Sequence, residues 1–151
     1  MLRKVGKANL EHFEDLRQRL FSRLPHEFSA FRGILTFPNG SRIIAGHFLN
    51  ERDVDAYLGL EYDVIGLEEA SQLTSRKFQD ISTCCRTSKP NWRPRIYSTT
   101  NPGGVGHDWY RKRFVAPMLE RREVDTRFIP ARVGDNAFNN PEYRRILEGL
   151  T

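Results

Sequence analysis

The chain has 151 residues, about one globular domain, and its 24 basic and 19 acidic side chains give a formal net charge of +5. With 38% hydrophobic and 28% charged residues it is too apolar for general disorder, and it holds no run of about 18 uncharged apolar residues that a membrane span needs. The two cysteines, Cys84 and Cys85, are adjacent, which disfavours a disulfide staple or a zinc site, so we expect a cytoplasmic protein.

The first predicted element is an amphipathic helix over residues 8–24, ended by Pro25. Its apolar stripe has spacings of three and four and consists of Leu10, Phe13, Leu16, Leu20 and Leu24. Two apolar-rich segments, 31–37 and 41–48, follow on either side of Pro38-Asn39-Gly40. Asn-Gly is the preferred pair for a two-residue turn with positive φ, so this pattern predicts a β-hairpin.

The middle of the chain predicts strands that alternate with helices. Asn50 is suited to cap a short acidic helix that runs to about residue 58, and residues 62–67 form a short apolar run typical of a buried strand. A helix over 75–85 and a strand over 95–100 complete this part of the pattern.

Residues 101–106 contain one proline and three glycines, which predicts a loop. A helix is expected over 108–115, a strand over 125–132 and a final helix over 141–150. Because strands and helices alternate, the sequence predicts an α/β domain whose mainly parallel sheet is flanked by helices, with the hairpin as an antiparallel addition.

Charge is unevenly distributed along this pattern. Carboxylates dominate residues 50–69, where Arg52 is the single base, whereas basic residues concentrate in 86–95 and 111–122. Such basic segments can attract a polyanion such as nucleic acid. The alternative is that both sets of charges form solvated faces, and the sequence leaves both interpretations open.

Polar residues follow two of the predicted strands, at the sheet edge where α/β proteins bind ligands. The strand over 62–67 ends in Glu68-Glu69, of which one carboxylate can hold a hydrated Mg²⁺ while the other orients or deprotonates a water. The strand over 95–100 ends in Thr99 and Thr100, with Asn101 next, and these side chains can hydrogen-bond a phosphate oxygen or a water. Each segment taken alone is also compatible with an ordinary turn.

Four segments, in this order and spacing, resemble the ATPase domain of large terminase subunits, the DNA-packaging motors of tailed bacteriophages. They are TFPNGSRI at 36–43, YLGLEYD at 57–63, IGLEEASQL at 65–73 and STTNPGGVGHDW at 98–109. The resemblance implies a P-loop NTPase-like fold and divides the chain into an N-terminal helical segment, 1–30, and a partial ATPase domain, 31–151.

The resemblance also implies roles for the polar residues. Glu68-Glu69 matches the Walker B pair, so Glu68 would support Mg²⁺ and Glu69 would be the catalytic carboxylate that prepares water for attack on the γ-phosphate of ATP. Thr99, Thr100 and Asn101 fall in the coupling motif and would contact the nucleotide. The implied partners are double-stranded DNA, a portal protein, a small terminase subunit and other copies of the motor subunit, in the host cytoplasm at the procapsid.

One family motif does not occur in these 151 residues: there is no Gly-x-x-x-x-Gly-Lys-Ser/Thr segment, the Walker A loop that cradles phosphates. We therefore expect a fragment of a motor that hydrolyses ATP poorly when it is alone. Two alternatives stay open at this point. One is a degenerate domain without catalysis that binds DNA or a motor subunit, and the other is a metal-dependent nuclease that uses the same acid pair.

Overall fold

A computed structural model describes residues 2–3, 7–48, 50–138, 140, 142, 145, 146 and 149. The chain forms two compact units, Met1–Arg111 and Lys112–Thr151. The division predicted at residue 31 stays a prediction, and the helix predicted over 141–150 falls largely outside the described residues. Within the described part of the chain, no helix is both long and apolar enough to cross a membrane.

The described strands are β1 (Leu2–Arg3), β2 (Glu27–Ser29), β3 (Ile34–Thr36), β4 (Arg42–Ile44), β5 (Gly46–His47), β6 (Val64–Leu67) and β7 (Arg95–Ser98). The described α-helices are α1 (Lys7–Phe21), α2 (Ser75–Thr83), α3 (His107–Tyr110) and α4 (Ala116–Leu119). Turns of 3₁₀-helix cover Glu51–Tyr57, Ala70–Gln72 and Val133–Asp135, and a π-helical turn at Arg111–Val115 joins α3 to α4.

The predicted parallel sheet is present, with the strand order β5-β1-β6-β7 and parallel pairing throughout. The predicted strands over 62–67 and 95–100 correspond to β6 and β7, which pair in register from Val64 opposite Arg95 to Leu67 opposite Ser98. Ile65 and Leu67 are buried, but Val64 is 45% exposed, so the prediction of a wholly buried strand was wrong for one face. Strand β1 was not predicted, because two residues are too short to show a period.

The predicted hairpin is present as β3 and β4, in a three-stranded antiparallel sheet of order β2-β3-β4. The prediction of one segment over 41–48 was wrong, because it divides into β4 and β5, and β5 belongs to the parallel sheet. The hairpin turn also differs from the prediction. The Gly40 N–H donates to the Phe37 carbonyl at 2.9 Å, and Gly40 has a φ of +81° whereas Asn39 does not have a positive φ. Because Pro38 fixes a negative φ suited to the first central position, Pro38-Asn39 make the turn and Gly40 follows in the left-handed region.

Helix α1 packs on the antiparallel sheet through aromatic rings. The Phe13 ring lies 5.9 Å from Phe28, and the Phe21 ring lies 5.4 Å from Phe37. The predicted stripe was wrong at its end, because Leu20 is 66% and Leu24 52% exposed. The helix ends at Phe21, so Leu24 lies beyond it, and the rings that contact the sheet side are Phe13, which is buried, and Phe21, which is half-buried.

The short acidic helix and the helix over 75–85 are confirmed, with small changes. Asn50 caps a 3₁₀-helix instead of an α-helix, and its N–H donates to the Asp53 carboxylate at 2.9 Å. Helix α2 begins after Thr74, whose hydroxyl oxygen accepts the Lys77 N–H at 3.4 Å. It buries Phe78 in the core of the first unit.

Beyond residue 107 the chain is helical to Leu119, longer than the helix predicted over 108–115. The strand predicted over 125–132 was wrong, because these residues have irregular backbone. Ile129, the apolar residue in the middle of the supposed strand, is 73% exposed. Pro130 follows it and has no N–H for a ladder, so the apparent alternation of polar and apolar residues lacks the pairing that a strand needs.

Candidate functional site

The acid pair follows β6 at the carboxyl end of the parallel sheet, where the sequence placed it. We call residues 68–73 the acid-pair turn. Glu68 and Glu69 are half-buried, and one carboxylate oxygen of Glu68, Oε2, is shielded from solvent. Glu69 adopts a left-handed backbone, with φ +54° and ψ +45°, and its carbonyl accepts the Gln72 N–H at 2.8 Å. This conformation is costly for a residue with a Cβ and persists only where the surrounding structure holds it.

The predicted coupling residues follow the neighbouring strand β7, and we call residues 99–106 the β7 loop. The Thr99 N–H donates to the Leu67 carbonyl at 2.9 Å, and the Thr99 carbonyl accepts the Ala70 N–H at 2.9 Å. These two bonds extend the pairing of β6 with β7 past the strand ends. The structure therefore brings Glu68, Glu69 and Thr99 to one edge of the sheet.

Ser71 links the acid-pair turn to the β7 loop through its side chain. The Thr100 hydroxyl donates to the Ser71 hydroxyl at 2.6 Å, and the Ser71 hydroxyl donates to the Asn101 carbonyl at 3.3 Å. The Ser71 N–H also donates to the Thr100 hydroxyl oxygen at 3.3 Å. The Thr100 hydroxyl thus lies between the Ser71 hydroxyl and the Asn101 carbonyl, which is 3.0 Å away and can also accept its proton, whereas Thr99 and Asn101 are exposed.

Two glycines allow the β7 loop and the start of α3 to approach the acid-pair turn closely. The Gly106 N–H donates to the Ser71 carbonyl at 2.7 Å. A Cβ on Gly106 would lie 2.9 Å from that carbonyl oxygen and would collide with the Leu73 carbonyl oxygen and the Trp109 indole nitrogen. Gly104 has a φ of +81°, and a Cβ there would lie 2.6 Å from the Ser71 oxygen. The predicted loop is confirmed, and its glycines provide this proximity.

Helix α3 anchors the same turn from its other end. The Trp109 indole N–H donates to the Leu73 carbonyl at 2.8 Å, and the Trp109 ring lies 4.9 Å from the Phe78 ring. The Tyr110 hydroxyl lies 3.0 Å from the Ser98 hydroxyl at the end of β7. The acid-pair turn is therefore held along its length by residues that follow β7.

Two ion pairs lie near the opposite end of β6, Lys89 with Asp63 and Arg86 with Glu61. Hydrogen bonds from the Lys89 ammonium and the Thr87 hydroxyl hold the pKa of Asp63 below its usual value, and Arg86 pairs with Glu61 at 2.9 Å. Burial raises the pKa of the Cys85 thiol in the same region. Basic residues of 86–95 thus contact acidic residues of 50–69, so part of the charge separation seen in sequence is neutralised locally.

The donor set at the acid pair fits Mg²⁺. Carboxylate oxygens are hard ligands, and Mg²⁺ is usually bound by one or two carboxylates together with water and substrate phosphates. Over the described ranges there is no group of three or more His, Cys, Asp or Glu side chains arranged to hold a metal by themselves. The phosphates of ATP fit less well, because the sequence contains no Gly-x-x-x-x-Gly-Lys-Ser/Thr loop to cradle them.

Comparison with known proteins gives one family. A family model described as phage terminase large subunit matches residues 22–151, which include both the acid-pair turn and the β7 loop. A search of curated proteins finds no match.

Proposed function

The chain belongs to the phage terminase large subunit family, and on that premise we propose that it is part of an ATP-driven motor that packages double-stranded DNA. One observation on this chain supports the proposal in addition to its family membership. Two carboxylates lie at the carboxyl end of β6, and hydrogen bonds join their turn to the loop that follows the adjacent parallel strand. In a site of this kind, hydrolysis of a bound phosphate can move the linked loop and thereby the rest of the motor.

We assign a separate task to each carboxylate. Glu68 is half-buried and directly follows the end of the strand, and a hard carboxylate ligand at that place suits it to hold Mg²⁺. Glu69 is set in the turn by its left-handed backbone and would orient a water and accept its proton. Bound Mg²⁺ would neutralise charge on phosphate oxygens.

The β7 loop would contribute neutral polar groups that hydrogen-bond the nucleotide or the attacking water. The exposed Thr99 and Asn101 side chains suit hydrogen bonds to a phosphate oxygen or a water. Because Thr100 is hydrogen-bonded to Ser71, displacement of this loop would be transmitted to the acid-pair turn. The phosphate cradle that the sequence lacks would have to come from another part of the motor, so the chain by itself should bind metal without turning over ATP.

The remaining assignments are also proposals. The partners would be double-stranded DNA, a portal protein, a small terminase subunit and other large-subunit copies, and the site of action would be the host cytoplasm at the procapsid.

Binding of Mn²⁺, which shares the oxygen ligands and octahedral geometry of Mg²⁺, tests the metal site in the chain itself. We expect Glu68→Gln to weaken binding measured by electron paramagnetic resonance. Glu61→Gln is the matched control, because Glu61 is an exposed carboxylate paired with Arg86 away from the acid pair. Equal binding by both variants and the unmodified chain would contradict the assignment of Glu68.

Two further assays separate the proposal from its alternatives. Metal-dependent cutting of plasmid DNA by the chain would favour a nuclease. Salt-sensitive DNA binding that is indifferent to Mg-ATP and to substitution of Glu69 would favour a domain without catalysis.

A further inference from the structure

Ser71 is the one polar residue that is buried among the described residues, with 3% of its surface exposed. Its N–H, hydroxyl and carbonyl all take part in hydrogen bonds to the segment after β7, at Thr100, Asn101 and Gly106. A buried serine is tolerated when its polar groups are hydrogen-bonded, and here every partner belongs to one segment. Ser71 therefore fixes where the acid-pair turn lies relative to the β7 loop.

The same contacts bear on the conformation of Glu69, two residues earlier. Its left-handed backbone must be stabilised by its surroundings, because a residue with a Cβ disfavours that region. The Ala70 N–H bond to Thr99 and the Ser71 bonds to Thr100 are the first cross-links after Glu69. If these cross-links were lost, Glu69 would be free to return to a negative φ, and its carboxylate would turn away from its present direction.

We infer that Ser71 is a positioning residue, acting with the Thr100 hydroxyl, that holds the Glu69 carboxylate in a fixed direction relative to Thr99 and Asn101. The inference rests on the proposed role of Glu69 in preparing a water. Ser71 touches no reacting group itself. It makes the direction of Glu69 depend on the position of the β7 loop, so movement of that loop changes the geometry of the acid pair.

The test uses two substitutions at Thr100, each of which differs from threonine in one group. Thr100→Val keeps the shape of threonine and removes the hydroxyl, whereas Thr100→Ser keeps the hydroxyl and removes a methyl group. Ser71→Ala removes the partner hydroxyl. Ser82→Ala is the control for loss of a half-buried serine hydroxyl, because Ser82 donates to Phe78 within α2 at 2.7 Å.

Two measurements on the full chain report the result. The backbone ¹³Cα shift of Glu69 reports its left-handed conformation, and amide hydrogen exchange reports the cross-links at Ala70 and Gly106. We expect Thr100→Val and Ser71→Ala to move the Glu69 shift and to speed exchange at both amides about fivefold or more, the effect of losing one hydrogen bond. Thr100→Ser and Ser82→Ala should resemble the unmodified chain.

The protection of the Phe78 amide, which donates to the Thr74 carbonyl at 3.0 Å in α2, shows whether each variant is folded. An unchanged Glu69 signal in folded Thr100→Val, or an equal change in Thr100→Ser, overturns the inference. Neither measurement needs bound metal or nucleotide. A chain that fails to bind Mn²⁺ but shows the expected shifts would therefore contradict the proposed function and leave the positioning contact established.

Discussion

Replacement of Glu69 should show that this residue is strained in the fold. Glu69 has φ +54° and ψ +45°, a region in which a Cβ costs about 1–2 kcal/mol. Glycine avoids this strain because it has no Cβ, but it lowers the free energy of unfolding by about 0.5–1 kcal/mol relative to alanine, because its unfolded chain has greater conformational freedom. Glu69→Gly should therefore be more stable than Glu69→Ala by about 0.5–1 kcal/mol, although alanine is the more stable residue at ordinary negative φ.

Comparison of these two variants isolates the backbone term, because both lack the carboxylate and the side-chain methylenes. The assay is urea denaturation followed by circular dichroism at neutral pH, with Arg121→Gly and Arg121→Ala as a second pair at an exposed position of φ +52°. We expect the glycine variant to be the more stable at both positions. If Glu69→Ala is as stable as Glu69→Gly, the left-handed backbone is not strained and Glu69 needs no positioning contacts.

Four further substitutions test the contacts of the acid-pair turn and the ion pair at the start of β6. Gly104→Ala should destabilise the chain by about 2 kcal/mol or more in urea denaturation, because its Cβ would lie 2.6 Å from the Ser71 carbonyl oxygen. Gly103→Ala, with φ +107° and no atom within 4 Å, should lose only the strain term, and equal losses would exclude the close approach. Trp109→Phe should cost about 1 kcal/mol through loss of the indole N–H donor, and an unchanged unfolding midpoint would contradict that bond. Asp63 has a folded-state pKa below its usual value near 3.8, so its stabilisation is present above the unfolded-state pKa and is lost as pH falls through the lower folded-state value. Asp63→Asn should therefore reduce the fall in the free energy of unfolding at acidic pH. An unchanged fall would show that the hydrogen bonds from the Lys89 ammonium and the Thr87 hydroxyl to Asp63 do not contribute to stability.

The parts of the fold that could be predicted from sequence are those determined by residues close together in the chain. Strand β6 and the hairpin follow from short apolar runs between turn residues, and the sequence also placed the residues after β6 and β7 at the sheet edge where α/β proteins bind ligands. The hairpin turn was predicted with the wrong central residues because Asn39-Gly40 was considered without the fixed φ of Pro38. The strand over 125–132 failed because alternation alone does not supply a pairing partner, and Pro130 removes a donor.

The candidate site was predictable in its charges but not in its contacts. Two adjacent carboxylates after an apolar run are compatible with a ligand site and also with an ordinary turn, and the resemblance of four segments to the terminase ATPase domain favoured the site. Ser71 carries no such signal, because serine is common in turns and its burial depends on Thr100 and Gly106, which lie about thirty residues further along the chain. The left-handed backbone of Glu69 is equally invisible in sequence, since glutamate has no preference for that region.

The most direct test of the account is ATP hydrolysis by a complete packaging motor that contains this segment, with and without Glu69→Gln. Glutamine keeps the size of glutamate but cannot accept the proton of a water. We expect the variant motor to bind nucleotide as the unmodified motor does and to fail to hydrolyse it. Undiminished hydrolysis by the Glu69→Gln motor would contradict the account, because Glu69 would then not be the residue that prepares the water.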